Sequence, residues 1–168
     1  MPPLPYLAGH PQALQEQVRA AIEDGRLAAM LRARYPATHA VRSDGALYDY
    51  TLALKNRFLR NAPAPDRVLF DSRLELTANA LGINGKRPRV QGSKIRCKRE
   101  IRVASVFREA PPEFLRMIVV HELAHLKERQ HDRAFYQLCS HIEPAYHQLE
   151  FDLRLYLTQR QLDGLPAA

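Results

Sequence analysis

Residues 114–126 read Phe-Leu-Arg-Met-Ile-Val-Val-His-Glu-Leu-Ala-His-Leu, and no other stretch constrains the fold as much. A helix drawn through them is apolar on nearly every side. Arg116 is the single charge outside His121, Glu122 and His125, so such a helix belongs in an interior, wrapped by other elements. Buried imidazoles and a buried carboxylate are costly unless partnered. His121 and His125 stand four apart and share one helical face. One metal ion satisfies both rings together, whereas a hydrogen-bond network needs several unrelated partners. His121-Glu122-Leu123-Ala124-His125 is thus an HExxH pattern, two ligands with a carboxylate beside them to handle a proton. Zinc is the expected ion for a histidine site that keeps one position open.

His131 is the favoured third ligand, with Glu143 and Glu150 on later helices as its rivals. A helix continuing unbroken would carry His131 about 9 Å along its axis past His125, at about 1.5 Å per residue. A zinc–nitrogen bond is only about 2 Å long, so the helix has to stop. Lys127 to Gln130 contains neither Gly nor Pro. Asp132, however, is a good N-cap for a new helix starting near Arg133, and this puts the break at Arg129 to His131. The spacing equals the HExxHxxGxxH of metzincins, but Glu128 stands at their Gly, so the chain is not assigned to that clan.

The stretch HELAHLKERQHDRAFYQLCSHIEPAYHQLEFDLRLYL resembles the YgjP-like zinc metallopeptidases, relatives of the WLM and SprT-like proteases. The pattern H-E-L-x-H-L-K-x-x-x-H-x-x-x-F is met at His121, Glu122, Leu123, His125, Leu126, Lys127, His131 and Phe135. The resemblance extends upstream through IRVASVFREAPPEFLRMIVV and LYDYTLALKNRFLRN, and so covers most of the chain. It implies a zincin-like fold, with His121, His125 and His131 as zinc ligands and Glu122 as the catalytic base. Many WLM-type relatives carry Trp-Gly-Ser-Cys in the strand before the active helix. Here that region reads Val90-Gln91-Gly92-Ser93-Lys94, and the chain has no Trp at all.

Charge is informative because it is local. Lys86, Arg87, Arg89, Lys94, Arg96, Lys98, Arg99 and Arg102 face one acid, Glu100, and this stretch holds the whole formal excess of +7. Lys94, Arg96, Lys98, Arg99 and Arg102 are the candidate anion-binding patch. A solvated strand face is the plain alternative. A nucleotide or nucleic acid is the functional one, although no aromatic alternates with the basic residues to stack on bases. No apolar run reaches 18 residues, so no membrane span or membrane partner is expected. The start, MPPLPYLAGHPQ, lacks the basic and apolar regions of a secretory signal. Cys97 and Cys139 form no CxxC pattern and are expected to be reduced thiols, which points to the cytoplasm.

Taken in order, Pro11 opens a helix with Leu14, Val18, Ala21 and Ile22 on one stripe, and Gly25 ends or kinks it. Leu27, Met30 and Leu31 continue helically to Tyr35. Ser43 or Asp44 caps a helix bearing Leu47, Tyr50, Leu54 and Phe58. Asn61 to Asp66 is a stiff linker, and Val68 to Phe70 a short strand. Asp71 or Ser72 caps a further helix running to Gly82. Lys94 to Lys98 and Ile101 to Phe107 alternate as two antiparallel strands turning near Lys98-Arg99-Glu100. Pro111-Pro112 opens the metal-binding helix. Phe135, Leu138, Cys139 and Ile142 line the next helix, which Pro144 stops, and Ala145 to about Gln161 is the last.

The expected class is α+β: a mostly helical zincin-like domain with a small antiparallel sheet beside the HExxH helix, plus N-terminal helices. Residues 1–62 form the N-terminal helical region and 63–168 the metallopeptidase core, together one compact unit. The expected activity is that of a zinc metalloendopeptidase, cleaving polypeptide through water activated by the metal, with Glu122 as general base. The alternative is a metal-dependent nucleotide pyrophosphatase of UTP type, using the same metal and the basic patch. His141, Tyr146 and His147 are candidate substrate or oxyanion contacts.

Overall fold

The computed structural model describes residues 3–76 and 99–166. A 3-10 turn at Pro5–Leu7 leads into α1 (Gln12–Glu23), α2 (Arg26–Arg34) and α3 (Asp44–Phe58). Strands β1 (Arg67–Asp71) and β2 (Glu100–Ala104) follow, then a 3-10 turn at Ser105–Arg108. Helices α4 (Pro112–Ala124), α5 (Arg133–Ile142) and α6 (Tyr146–Leu162) complete the described chain, which is α+β and mostly helical.

Helix α4 occupies the centre. Ten of its residues, Phe114, Leu115 and Met117 to Ala124, are buried, and α3, α5, α6 and β2 pack around it. Local chemistry sets its neighbours. The Ser43 hydroxyl accepts the Ala46 N–H at 3.1 Å and caps α3. Asp44 then accepts the Phe70 N–H at 2.9 Å, tying the start of α3 to β1. Gly25 takes φ 75°, a left-handed conformation that costs glycine little, and turns α1 into α2.

Two expectations about the sheet change. Among the described residues the pairing is parallel, from Arg67 opposite Glu100 to Asp71 opposite Ala104. Alternation along Ile101 and Val103 marks an extended segment with one buried face, but carries no information about partner direction. Here Val68 and Phe70 share burial with Ile101 and Val103, and the register brings Arg102 Nη1 to 2.6 Å from Asp71. The strand also ends at Ala104, because Ser105–Arg108 coils into a 3-10 turn. Residues 72–76 form a turn and an irregular stretch rather than a helix start. The rest of the expected helix to Gly82, and the Lys94 to Lys98 strand, lie outside the described residues.

The N-terminal helices dock on α6 through Leu4, Leu7, Val18, Leu27, Leu31 and Leu155. Asp152 fixes that contact. Only 1% exposed, it accepts from Arg34 Nη1 at 2.8 Å, from the Tyr35 hydroxyl, and from Gln148 Nε2 at 2.8 Å. Asp152→Ala removes a buried carboxylate shared by Arg34, Tyr35 and Gln148 and should cost about 1 to 2 kcal/mol in urea unfolding. Unchanged stability would show the network to be incidental.

Candidate metal centre

The Nε2 atoms of His121, His125 and His131 converge: 3.2 Å separates His121 from His125, 2.9 Å His125 from His131, and 3.3 Å His131 from His121. Four nitrogens held tetrahedrally by zinc at its usual bond length sit about 3.3 Å apart. The three rings thus present one face of such a tetrahedron, and they are the His/Cys/Asp/Glu group among the described residues whose ligand atoms come together to hold an ion. Phe135 forms the floor, its ring centroid 4.9, 4.5 and 4.9 Å from those of His121, His125 and His131.

The break that delivers His131 comes earlier than the sequence suggests, and no Gly or Pro makes it. Helix α4 ends at Ala124 with His125 as its C-cap. Tight bonds from Leu126 N–H to Leu123 O (3.0 Å) and Lys127 N–H to Ala124 O (3.1 Å) close the last turn. His125 then uses its own ring: Nδ1 donates to the Glu128 carbonyl at 3.0 Å, which stops the chain from running on. That bond also fixes the tautomer, so His125 turns a lone pair on Nε2 into the cluster. Asp132 accepts the Phe135 N–H at 3.0 Å and starts α5 as expected, with His131 held just before the cap.

The donor chemistry fits a divalent cation. His121 is buried, and burial first, then the neighbouring His125 and His131, hold its pKa well below the ordinary imidazole value. It is therefore neutral at pH 7, as ligation requires. Glu122 is buried in the same turn of α4. The rivals to His131 are occupied elsewhere: Glu143 accepts from Arg116 at 3.0 Å and Glu150 from Arg154 at 3.4 Å.

The other candidates scatter. Tyr146 is fully buried, its hydroxyl 2.7 Å from His121 Nδ1, the ring nitrogen that faces away from the cluster. His141 is exposed on α5. His147 is exposed on α6, with its ring 5.5 Å from both Tyr136 and Tyr146. Arg102 is not a free cation, since Asp71 and Glu100 bind it at 2.6 and 3.0 Å. The Arg73 guanidinium, with Arg102 behind it, holds the Asp71 carboxyl at a pKa of about 2, so this ionic knot persists through neutral pH. Arg99 is exposed, and Lys94, Arg96 and Lys98 lie outside the described residues.

Sequence reasoning missed Phe135 as the floor of the site, seeing only its place on a core stripe. Its four-residue step from His131 was the available signal, because one turn of α5 carries it back under the ring.

Comparison with known proteins adds two findings. Residues 66–156 match the family described as YgjP-like, metallopeptidase domain. A protein of Escherichia coli (strain K12) named UTP pyrophosphatase is 58% identical over 159 residues, covering 95% of each chain. No solved structure matches.

Proposed function

We propose, because this chain belongs to the YgjP-like metallopeptidase family, that its hydrolytic centre cleaves a phosphoanhydride bond of a nucleoside triphosphate of UTP type, releasing pyrophosphate. That the chain is a metal-dependent hydrolase follows from the family. The choice of bond rests on one observation, the 58% identity over 95% of both chains with the protein named UTP pyrophosphatase.

His121, His125 and His131 would hold the cation, and zinc suits three imidazoles with a vacant position. When bound, such an ion supplies Lewis acidity, acidifying water and withdrawing charge from the oxygens of the bond to be broken. Glu122 takes the proton of the attacking water, as its place between the two helical ligands suits it to do. The Phe135 floor keeps bulk water from the far side of the rings. Lys94, Arg96, Lys98 and Arg99 are the cations assigned to the polyphosphate, Arg102 being committed to Asp71 and Glu100.

The second reading is peptide hydrolysis. Two histidines one helical turn apart, a third from a following break and a buried Glu122 are the residues a metallopeptidase requires, and the family's description names that activity. Zinc-loaded protein incubated with UTP and, separately, with an unfolded protein separates the two. Pyrophosphate from UTP with the polypeptide left intact is the expected result. Cleaved polypeptide with intact UTP would reverse the assignment.

A further inference from the structure

We propose that Tyr146 is a positioning residue for the metal centre: its hydroxyl accepts from His121 Nδ1 and so holds the ring in the tautomer that offers Nε2 to the cation. The inference rests on the metal site common to both readings of the reaction, and is independent of which bond is cleaved.

Tyr146 is the first residue of α6, and its place there is built rather than incidental. Pro144 follows the end of α5, and the Tyr146 N–H bonds the Glu143 carbonyl at 3.0 Å as the chain turns. Arg116 of α4 clamps this corner through Glu143 at 3.0 Å and the Ile142 carbonyl at 3.4 Å. The Tyr146 ring is thereby carried beneath α4, nearly parallel to that of His121, with an interplanar angle of 17°. Its hydroxyl lies 2.7 Å from His121 Nδ1. The side chain has no exposure, so the polar groups touching that oxygen must satisfy it.

Two proton arrangements suit a hydroxyl against an imidazole nitrogen, with opposite consequences. If Tyr146 donates to Nδ1, the ring proton sits on Nε2 and that nitrogen has no lone pair for a cation. If Nδ1–H donates to the Tyr146 oxygen, Nε2 is free to ligate. The convergence of the ring nitrogens decides between them. His121 Nε2 lies 3.2 and 3.3 Å from the Nε2 atoms of His125 and His131, where a cation needs a lone pair, so Nδ1 carries the hydrogen and the buried phenol oxygen accepts it. His125 reaches the same state through the Glu128 carbonyl. Outer partners of this kind typically govern metal affinity by about 10- to 100-fold.

Tyr146→Phe keeps the ring and deletes the oxygen. Titrated with cobalt(II) against a competing chelator, this variant should bind about 10- to 100-fold more weakly than wild type and show an altered ligand-field spectrum. Its metal-free melting temperature should stay close to wild type. Wild-type affinity and spectrum in Tyr146→Phe would overturn the proposal, as would a lower metal-free melting temperature with affinity unchanged. Nitrogen-15 NMR of the metal-free wild type reads the tautomer without any variant. A proton on His121 Nδ1 is expected, and one on Nε2 would overturn the proposal even if Tyr146→Phe failed to fold. Wild-type protein that took up no cobalt would remove this inference and the hydrolase proposal together, whereas bound cobalt with an unaffected variant would remove this inference alone.

Discussion

Glu122→Gln is expected to leave the protein folded and loaded with metal while lowering kcat about 10²- to 10⁴-fold, the range that general base catalysis contributes. The substitution keeps the shape of a side chain buried in the last turn of α4. It exchanges a carboxylate, which can accept a proton from water, for an amide, which cannot. None of the three converging nitrogens belongs to Glu122, so cation uptake should survive. The measurement pairs metal content with turnover on the better substrate. Full turnover in a metal-replete variant would remove Glu122 from the mechanism. Turnover lost together with metal would mean that the carboxylate serves the site's structure instead.

His131→Ala should separate binding from chemistry in the opposite direction. It removes one of three donors and leaves His121 and His125 as a pair, which should weaken zinc binding by more than about a hundredfold, the upper end of losing an outer partner. A ligand present at about a thousand times its Kd stabilises the folded state by about 4 kcal/mol. For a chain of this size that corresponds to a zinc-dependent rise in Tm on the order of 10 °C. The rise should appear in wild type and largely vanish in His131→Ala. His141→Ala, which alters an exposed histidine on α5, should keep it. An equal zinc-dependent rise in His131→Ala would return the third position to another donor.

What could be read in the sequence was whatever depends on neighbours along the chain. Ser43 and Asp132 cap helices because a short acceptor reaches an N–H three residues on, within one turn of chain. The interior placement of α4 follows from thirteen residues with one charge outside the motif. His121 and His125 converge because one helix carries both. Relations across the chain were hidden. β1 meets β2 with more than thirty residues between paired positions, and alternation within either strand is the same for a parallel or an antiparallel partner. Arg102 looked like part of a free cationic face because its partner Asp71 lies 31 positions away. Tyr146 stood out only as a polar aromatic near a motif. Its contact with His121 depends on how α6 docks, which periodicity does not encode.

The residue that closes α4 is itself one of the three converging rings, and it does so by holding a main-chain oxygen. Side chains at Glu128, Arg129 and Gln130 can therefore be exchanged, because the clasp grips the peptide bond and ignores what hangs from it. The count of residues is another matter. Adding or removing one between His125 and Asp132 would bring a different carbonyl to the clasp and swing the third imidazole off its target. Across related chains, positions 128–130 should vary in composition while the loop keeps its length.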